Sequence, residues 1–362
     1  MANYFFTGFP GFIANNLIRQ LIEDQQPESI FVLVLPEMMD RAEEEINNII
    51  DEKQISPNLI HVVPGDITKP NLDMDITYQE LFINNIHYVF HLAAIYALAV
   101  PKSIAFNVNV RGTQQVNEWV KTLNHLKRYV YFSTAYVSGK RTGKILETEL
   151  DCRQEFKNHY EQTKFEAEVL VDQLKVNIPT TIIRPGVVCG HSKTGETIKF
   201  DGPYFMLNLM DALKTFPIPY IGKSDAYGNF VPVDYIFEST IYLAHATKGE
   251  GKTYHLADPN PYRMREVYSM LMQEFLGKMP KWTTPLTLAR LSLSLSVTRK
   301  WLRVEKESLD YSRLLAEHDC SQAVQDLKGS GISCPDFKEV VPAIVQFYRE
   351  HKNHPQYQIK ID

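Results

Sequence analysis

Tyr160 and Lys164, four residues apart, carry the most direct chemistry in this chain. On a helix that spacing puts a phenol and an ammonium on one face, a turn from each other. A free tyrosine titrates near about 10 and is a poor proton donor or acceptor at neutral pH. A lysine cation beside it favours the phenolate and is expected to draw its pKa down toward the working range. Such a pair matters only if a third polar group and a dinucleotide site accompany it. Thr134 stands 26 residues before Tyr160, in Phe132-Ser-Thr-Ala-Tyr-Val-Ser-Gly139. This segment closes an apolar run, so its hydroxyls are expected at the carboxyl edge of a parallel sheet, where open α/β sheets bind ligands. Thr134 is the candidate to hold a carbonyl oxygen near the Tyr160 hydroxyl, with Ser133 and Ser138 as competitors.

The dinucleotide site is expected at Thr7-Gly-Phe-Pro-Gly-Phe-Ile-Ala14, between the first apolar run and the first helical pattern. Gly8 and Gly11 let the backbone turn tightly and approach a pyrophosphate, and Ala14 lets helix and sheet pack closely. Thr7, Phe9, Pro10, Phe12 and Ile13 complete that loop, and the helix N-terminus offers free N–H groups and its positive dipole end. Asp66 and Ile67 follow the third apolar run, where an aspartate accepts from an adenine amine. Ala93 and Ala94 follow the fourth and are small enough for a cofactor to pass. His87 and His91 are also four apart, but they fall on and beside a strand with no third ligand, so packed or surface histidines and no metal are expected.

The elements that must position these groups alternate short apolar runs with helical patterns, the signature of βαβ units around a parallel sheet. Strands are expected at Tyr4–Thr7, Ile30–Leu35, Leu59–Pro64, Tyr88–Leu92, Tyr129–Ser133 and Thr180–Arg184. Helices are expected at Phe12–Glu23, Asp40–Glu52, Tyr78–Asn84, Val108–Thr122 and Tyr160–Leu174. From Gly186 the pattern shifts to loops rich in glycine, proline and aromatics, then helices at Phe205–Lys214 and Met264–Leu276. The fold class is therefore α/β, a doubly wound parallel sheet over residues 1–185 with a smaller substrate-binding unit over 186–362. Val231–Ile236 and Thr253–Leu256 are expected to return to the sheet. Pro285–Val297, interrupted by Arg290, reads as a partly buried helix of the second unit, with a lid or membrane-touching helix as the alternative.

The bulk properties narrow the function. The chain has 362 residues, 44% hydrophobic and 22% charged, as an ordinary globular protein does. A net charge of -5 leaves no basic excess to neutralise phosphates, so nucleic acid is not the expected partner. Four cysteines, Cys152, Cys189, Cys320 and Cys334, form no Cys-x-x-Cys pair and read as reduced thiols. Met1 leads within three residues into the first strand, and no run of about 18 apolar residues occurs. A cytoplasmic, stand-alone chain without leader or membrane span is the expectation.

Together, Thr7-Gly-x-x-Gly-x-x-Ala14, Asp66-Ile67, Ala93-Ala94, Asn109-Val-x-Gly-Thr113, Ser133-Thr134, Tyr160-x-x-x-Lys164 and Arg184-Pro-Gly186 resemble the extended short-chain dehydrogenase/reductase superfamily. Arg184-Pro-Gly-Val-Val-x-Gly190, His191–Thr197 and Lys199–Tyr204 are similar to its thioester-reductase and fatty-acyl-CoA-reductase branch. The resemblance implies that Tyr160 is the general acid/base and that Lys164 binds the nicotinamide ribose while lowering the tyrosine pKa. It implies that Thr134 orients the reacting oxygen, that Asn109 supports a proton-relay water, and that Pro185 and Gly186 lie beside the nicotinamide. Val188, Tyr96, Tyr136 and Phe205 are expected at the cofactor and substrate walls. Branch members carry an arginine after the second strand that grips the 2′-phosphate of NADP. In this chain Arg41 is the candidate, whereas Glu37 would favour NAD by accepting from a ribose hydroxyl; NADP(H) is preferred on the branch resemblance.

The implied activity is NAD(P)H-dependent reduction of a carbonyl in a hydrophobic substrate: an acyl thioester, free as acyl-CoA or carrier-bound, an aldehyde or a ketone. Two other readings stay open. One is a nucleotide-sugar epimerase or dehydratase with retained NAD, although Ala135-Tyr136 replaces the acid pair that dehydratases place after the threonine. The other is a catalytically silent dinucleotide-binding regulator. The helices Val108–Thr122 and Tyr160–Leu174 suit the seam of a homodimer, by analogy with the superfamily.

Overall fold

A computed structural model describes residues 2–96, 100–222, 225–304 and 315–359. Seven parallel strands form the central sheet: β1 (Asn3–Thr7), β2 (Ser29–Val34), β3 (Ile60–Pro64), β4 (Tyr88–His91), β5 (Arg128–Phe132), β7 (Thr180–Pro185) and β11 (Thr253–Leu256). Their spatial order is β11-β7-β5-β4-β1-β2-β3. β1 pairs with β2 on one side and β4 on the other, so the winding reverses there and opens a crevice at the carboxyl ends.

Alternating strand residues feed two cores, as a pleat requires when both faces are covered. Phe6, Val130 and Phe132 point into a core with α1 (Phe12–Gln25), α2 (Met39–Lys53) and α8 (Val233–His245). Phe5, Tyr129 and Tyr131 point into a second core with α3 (Ile76–Ile83), α5 (Thr113–Val120) and α6 (His159–Asp172). Trp119 and Phe82 pack against Phe5 there, with ring centroids 4.4 and 5.4 Å away.

Beyond β7 the chain builds a cap over the carboxyl edge. β8 (Val187–Cys189) pairs with β10 (Phe230–Pro232), and β9 (Tyr220–Ile221) with β12 (Thr283–Thr284). Helices α7 (Tyr204–Ala212), α9 (Met264–Leu276) and a late helix at Phe337–His351 share a third core. Leu286, Leu293, Leu302 and Val304 form a fourth with α7, through α10 (Leu286–Ser294) and α11 (Ser296–Leu302).

Four elements differ in detail from the reading of the sequence. Val231–Ile236 comes back to the sheet's core mostly through a helix: Phe230–Pro232 joins the β8 ribbon, and α8 follows, with Ile236, Ile241 and Leu243 sharing the core with α1. Residues expected in the second unit also come back, since β13 (Ala316–His318) pairs with β6 (Gly143–Ile145). Cys320, Ala323 and Leu327 then bury in the sheet's first core. The helix expected over Val108–Thr122 begins earlier, with α4 (Lys102–Ala105), and runs through a π-helical stretch, Phe106–Gly112, before α5. The wider turn shifts the helix register where Asn109 must face inward, a common use of π turns near functional sites. Pro285–Val297 is split into α10 and α11 at Leu295, which is extended at φ -82°, ψ 122°.

Candidate active site

A single cleft of about 1140 Å³ runs from the glycine loop, past Tyr160, to the helices of the cap. That exceeds the usual volume for one small ligand, about 300–1,000 Å³, and suits a cofactor and a substrate together. The residues named above for cofactor, catalysis or pocket line it, apart from Ser138, Glu37 and Asn109, the last of which lies beneath. Glu37 is not on the wall, whereas Leu35, Met38 and Arg41 are.

Its nucleotide end is set by close backbone packing. Gly8 has φ +92°, and a Cβ there would lie 2.8 Å from Ala93 N. A Cβ on Gly11 would lie 2.6 Å from Gly8 O, the atom to which Gly11 N donates at 2.8 Å. Both glycines are thus required by the turn itself. Gly11 caps α1 without a side-chain bond, and no acid occupies the helix's first turn, so nothing there opposes an anion. Asp66 takes bonds from Thr68 N and Oγ1, both at 2.8 Å, on Oδ1. Its Oδ2 has no hydrogen-bond partner among the described residues. These residues fit a dinucleotide on chain geometry alone.

Tyr160 stands in the first turn of α6, whose N-cap is Asn158 with its side chain accepting from Glu161 N at 2.9 Å. Lys164 follows one turn later, but its ammonium does not bond Tyr160. It donates to Tyr131 Oη at 2.9 Å and to the Phe132 carbonyl at 2.6 Å, and lies 4.4 Å from the Tyr131 ring centroid. Burial pushes the Lys164 pKa down to about 7 against the pull of the Glu168 carboxylate.

The expected lowering of the Tyr160 pKa is reversed: burial pushes it up to about 12. A hydrogen bond with Thr134 opposes that rise, while Glu161 and Tyr96 add to it. Desolvation wins because the cation that would favour the phenolate is held on Tyr131, in the floor.

Thr134 and its two competitors separate clearly. Ser133 Oγ donates to Glu168 Oε2 in a short bond, and Ser138 Oγ pairs with His318 Nε2 at 3.2 Å. Thr134 Oγ1 accepts a long 3.3 Å bond from Tyr136 N and faces Tyr160. Of the three hydroxyls, only that of Thr134 meets the phenol.

Asn109 works as a clamp. Its Oδ1 accepts from Ile95 N at 2.8 Å, and its Nδ2 donates to Ile95 O and Thr163 Oγ1, both at 3.0 Å. Both amide protons are therefore used in fastening the loop after β4 to the helix of Tyr160 and Lys164. The side chain has no donor left for the relay water expected of it.

The floor also holds buried polar residues with no catalytic or cofactor role legible in the sequence. His91 is buried, with Nδ1 2.7 Å from Thr7 Oγ1 and Nε2 3.1 Å from Thr113 Oγ1. Burial pushes its pKa down to about 3, so it stays neutral, with each ring nitrogen committed to a threonine. Thr113 in turn bonds Tyr131, which links the glycine loop to Lys164 through buried hydroxyls. Beside it, Arg184 grips Glu168 Oε1 through Nε at 2.8 Å and Nη2 at 2.5 Å in a fully buried pair. Glu168, one turn past Lys164, was visible as a polar i+4 neighbour; Tyr131 and His318 had no such signal.

At the substrate end, Tyr96 is exposed at the mouth with Lys199 5.2 Å from its ring centroid, and Tyr136 stacks edge-on to His318. Gly186 lies against Asn229, whose carbonyl would be 2.8 Å from a Cβ there. Beyond Phe205 and Val188 the cleft becomes an apolar chamber walled by Met206, Leu209, Ile221, Ala289, Leu293 and Leu302.

A family model described as Male sterility protein, an NAD-binding domain, matches residues 6–240. The chain belongs to that family, and fold and family together place it in the thioester-reductase branch of the extended short-chain dehydrogenase/reductase superfamily.

Among individual proteins, the chain is 25% identical over 265 residues to the fatty acyl-CoA reductase wat of Drosophila melanogaster, covering 64% of this chain and 51% of that protein. It is 28% identical over 312 residues to the non-canonical nonribosomal peptide synthetase cpsA of Aspergillus campestris (strain IBT 28561), covering 77% of this chain and 28% of that protein. The chain thus spans about half, or less, of the length of these relatives. In fold it is similar to the terminal R domain of the myxalamid PKS-NRPS pathway, with TM-score 0.83, 23% identity and coverage of 99% and 93%. It is also similar to a Bacillus cereus UDP-glucuronic acid 4-epimerase in complex with NAD, with TM-score 0.67, 19% identity and coverage of 98% and 99%.

Proposed function

We propose that the chain is an NADPH-dependent reductase of hydrophobic acyl thioesters, carried by coenzyme A or by a carrier protein. The observation that carries this reading is the continuity of one cleft, which joins the Thr134–Tyr160 pair to an apolar chamber between α7, α10 and α11. An acyl chain in that chamber would leave its thioester at the polar end. Reductase names among the relatives support the same class.

The glycine loop, the start of α1 and Asp66 would hold the dinucleotide, with Pro185 and Gly186 at its nicotinamide end. Arg41 on the wall, with Glu37 off it, supports NADP(H) over NAD(H). When bound, the cofactor supplies hydride. Thr134 Oγ1 donates to the substrate carbonyl oxygen and holds it beside the Tyr160 hydroxyl. Tyr160, kept as a phenol by its raised pKa, gives its proton to that oxygen as negative charge develops there. The resulting hemithioacetal breaks its C–S bond to give aldehyde and free thiol. The sum is thioester, NADPH and a proton giving aldehyde, thiol and NADP⁺.

Anionic or hydroxyl groups of a bound cofactor would offset the desolvation of Lys164 and raise its pKa again, so that a firmer positive charge lies one helical turn from Tyr160. A panel of acyl-CoA thioesters, aldehydes and ketones, assayed with NADPH and with NADH, tests the reading. Thioester-dependent NADPH oxidation with aldehyde formation is expected. Activity on ketones alone would replace it with a different substrate class.

A further inference from the structure

The lid that closes the apolar chamber is apolar on its outer side as well. Along α10, Leu286 and Leu293 face the chamber side, with Leu293 on the wall itself, whereas Leu288 and Leu291 point to solvent. At 100° per residue these are opposite sides of one helix. Leu295, Val297 and Trp301 extend the outer stripe across α11; Leu291 is 67%, Val297 78% and Trp301 56% exposed. A cap helix facing only water would carry polar residues there. Contiguous exposed apolar surface of this kind marks an interaction site.

Its charge points to the partner. Residues 278–304 contain Lys278, Lys281, Arg290, Arg299, Lys300 and Arg303 and no acid, within a chain of net charge -5. Two of the chain's three tryptophans, Trp282 and Trp301, lie in the same stretch and are half-exposed. The neighbouring loops join the patch. Lys278 Nζ donates to Lys214 O at 3.0 Å and Tyr220 N to Trp282 O at 2.8 Å, which ties in the loops of exposed Met279 and Phe216. Leucines flanked by tryptophan and a basic rim are what a helix needs to lie in a bilayer interface. Among the described residues no helix is long and apolar enough to cross a membrane.

We propose that the α10–α11 hairpin docks this chain in the plane of an anionic lipid surface. Leu288, Leu291, Leu295, Val297 and Trp301 enter the acyl boundary while Lys281 and Lys300 meet phosphate headgroups, within the positive field of the neighbouring basic residues. The hairpin's inner side walls the chamber, so docking sets the chamber's lid against the lipid phase.

The test is binding of the intact chain to sedimenting vesicles of phosphatidylcholine mixed with phosphatidylserine, a readout that stands whether or not the chain turns over a thioester. Tryptophan emission reports the contact, since Trp119 is buried and a blue shift must come from Trp282 or Trp301. We expect salt-sensitive binding to the anionic vesicles with a blue shift, and little to phosphatidylcholine alone. The double change Lys281→Glu and Lys300→Glu is expected to weaken it by about 25-fold or more. Leu288→Ser, Leu291→Ser and Leu295→Ser together are expected to abolish the blue shift, with turnover of a short acyl-CoA and the thermal midpoint unchanged. Absence of vesicle binding at low salt overturns the proposal. So does binding that the triple variant retains, or capture by an acidic carrier protein through these residues in place of vesicles.

Discussion

The two ends of the cleft are built on opposite principles. At the catalytic end, polar groups are buried and paired: His91 between two threonines, Lys164 on Tyr131 and Phe132, Glu168 on Arg184 and Ser133, Asn109 on Ile95 and Thr163. In low dielectric each such pairing is directional, and leaving one partner unmet is costly. The substrate end is walled by leucine, methionine, phenylalanine and alanine from α7, α10 and α11, whose contacts specify volume rather than direction. A reaction centre needs fixed atoms and a chain-binding chamber needs room. The difference says where each kind of substitution will act.

The largest effect is expected at the polar end. Tyr160→Phe should lower kcat by about 10²–10⁴-fold, the range for a general acid, with NADPH affinity by fluorescence titration nearly unchanged; a fully active variant would remove Tyr160 from the mechanism. The pH dependence is the next. With a pKa near 12, Tyr160 stays protonated below pH 9, so reduction should show no loss assignable to this group as pH rises toward it. The reverse oxidation needs the phenolate and should gain about tenfold per pH unit in that range. Equal pH profiles in both directions would contradict the raised pKa.

At the apolar end, Ala289→Phe should cost long acyl substrates about tenfold or more in kcat/KM by filling the chamber, and leave short ones alone. A uniform loss across chain lengths would mean that the lid shapes the catalytic end too. Arg41→Ala should weaken NADPH by about tenfold, the worth of a charge-assisted bond, and barely change NADH; equal losses would return the cofactor preference to open. The smallest effect on turnover is expected from Asn109→Ala. It strands the Ile95 N–H and C=O and should cost about 1–3 kcal/mol of stability by denaturant unfolding.

How far the sequence could foresee this divides along the same line. The strand and helix periods, the glycine turn and Tyr160-x-x-x-Lys164 are local patterns, and each brought its residues to the one cleft. What those residues do to one another was less legible. The helical spacing of Tyr160 and Lys164 is correct, yet the ammonium is captured by Tyr131 from a neighbouring strand, a contact made only by tertiary packing. His318 reaches Ser138 from 180 residues away for the same reason. The chamber was the least legible part. Leu209, Ile221, Ala289 and Leu302 come from separate elements, and apolar residues at helical spacing look alike whether they wall a cavity or fill a core.

The central claim is that a phenol proton donor and an acyl chamber share one cleft. It is tested most directly by following NADPH oxidation and free thiol together over acyl-CoA thioesters of increasing chain length. One thiol released per aldehyde formed, with kcat/KM rising as the chain fills the chamber, is the predicted result. Tightly retained dinucleotide with no net oxidation at any length would contradict it and point to an internal redox cycle.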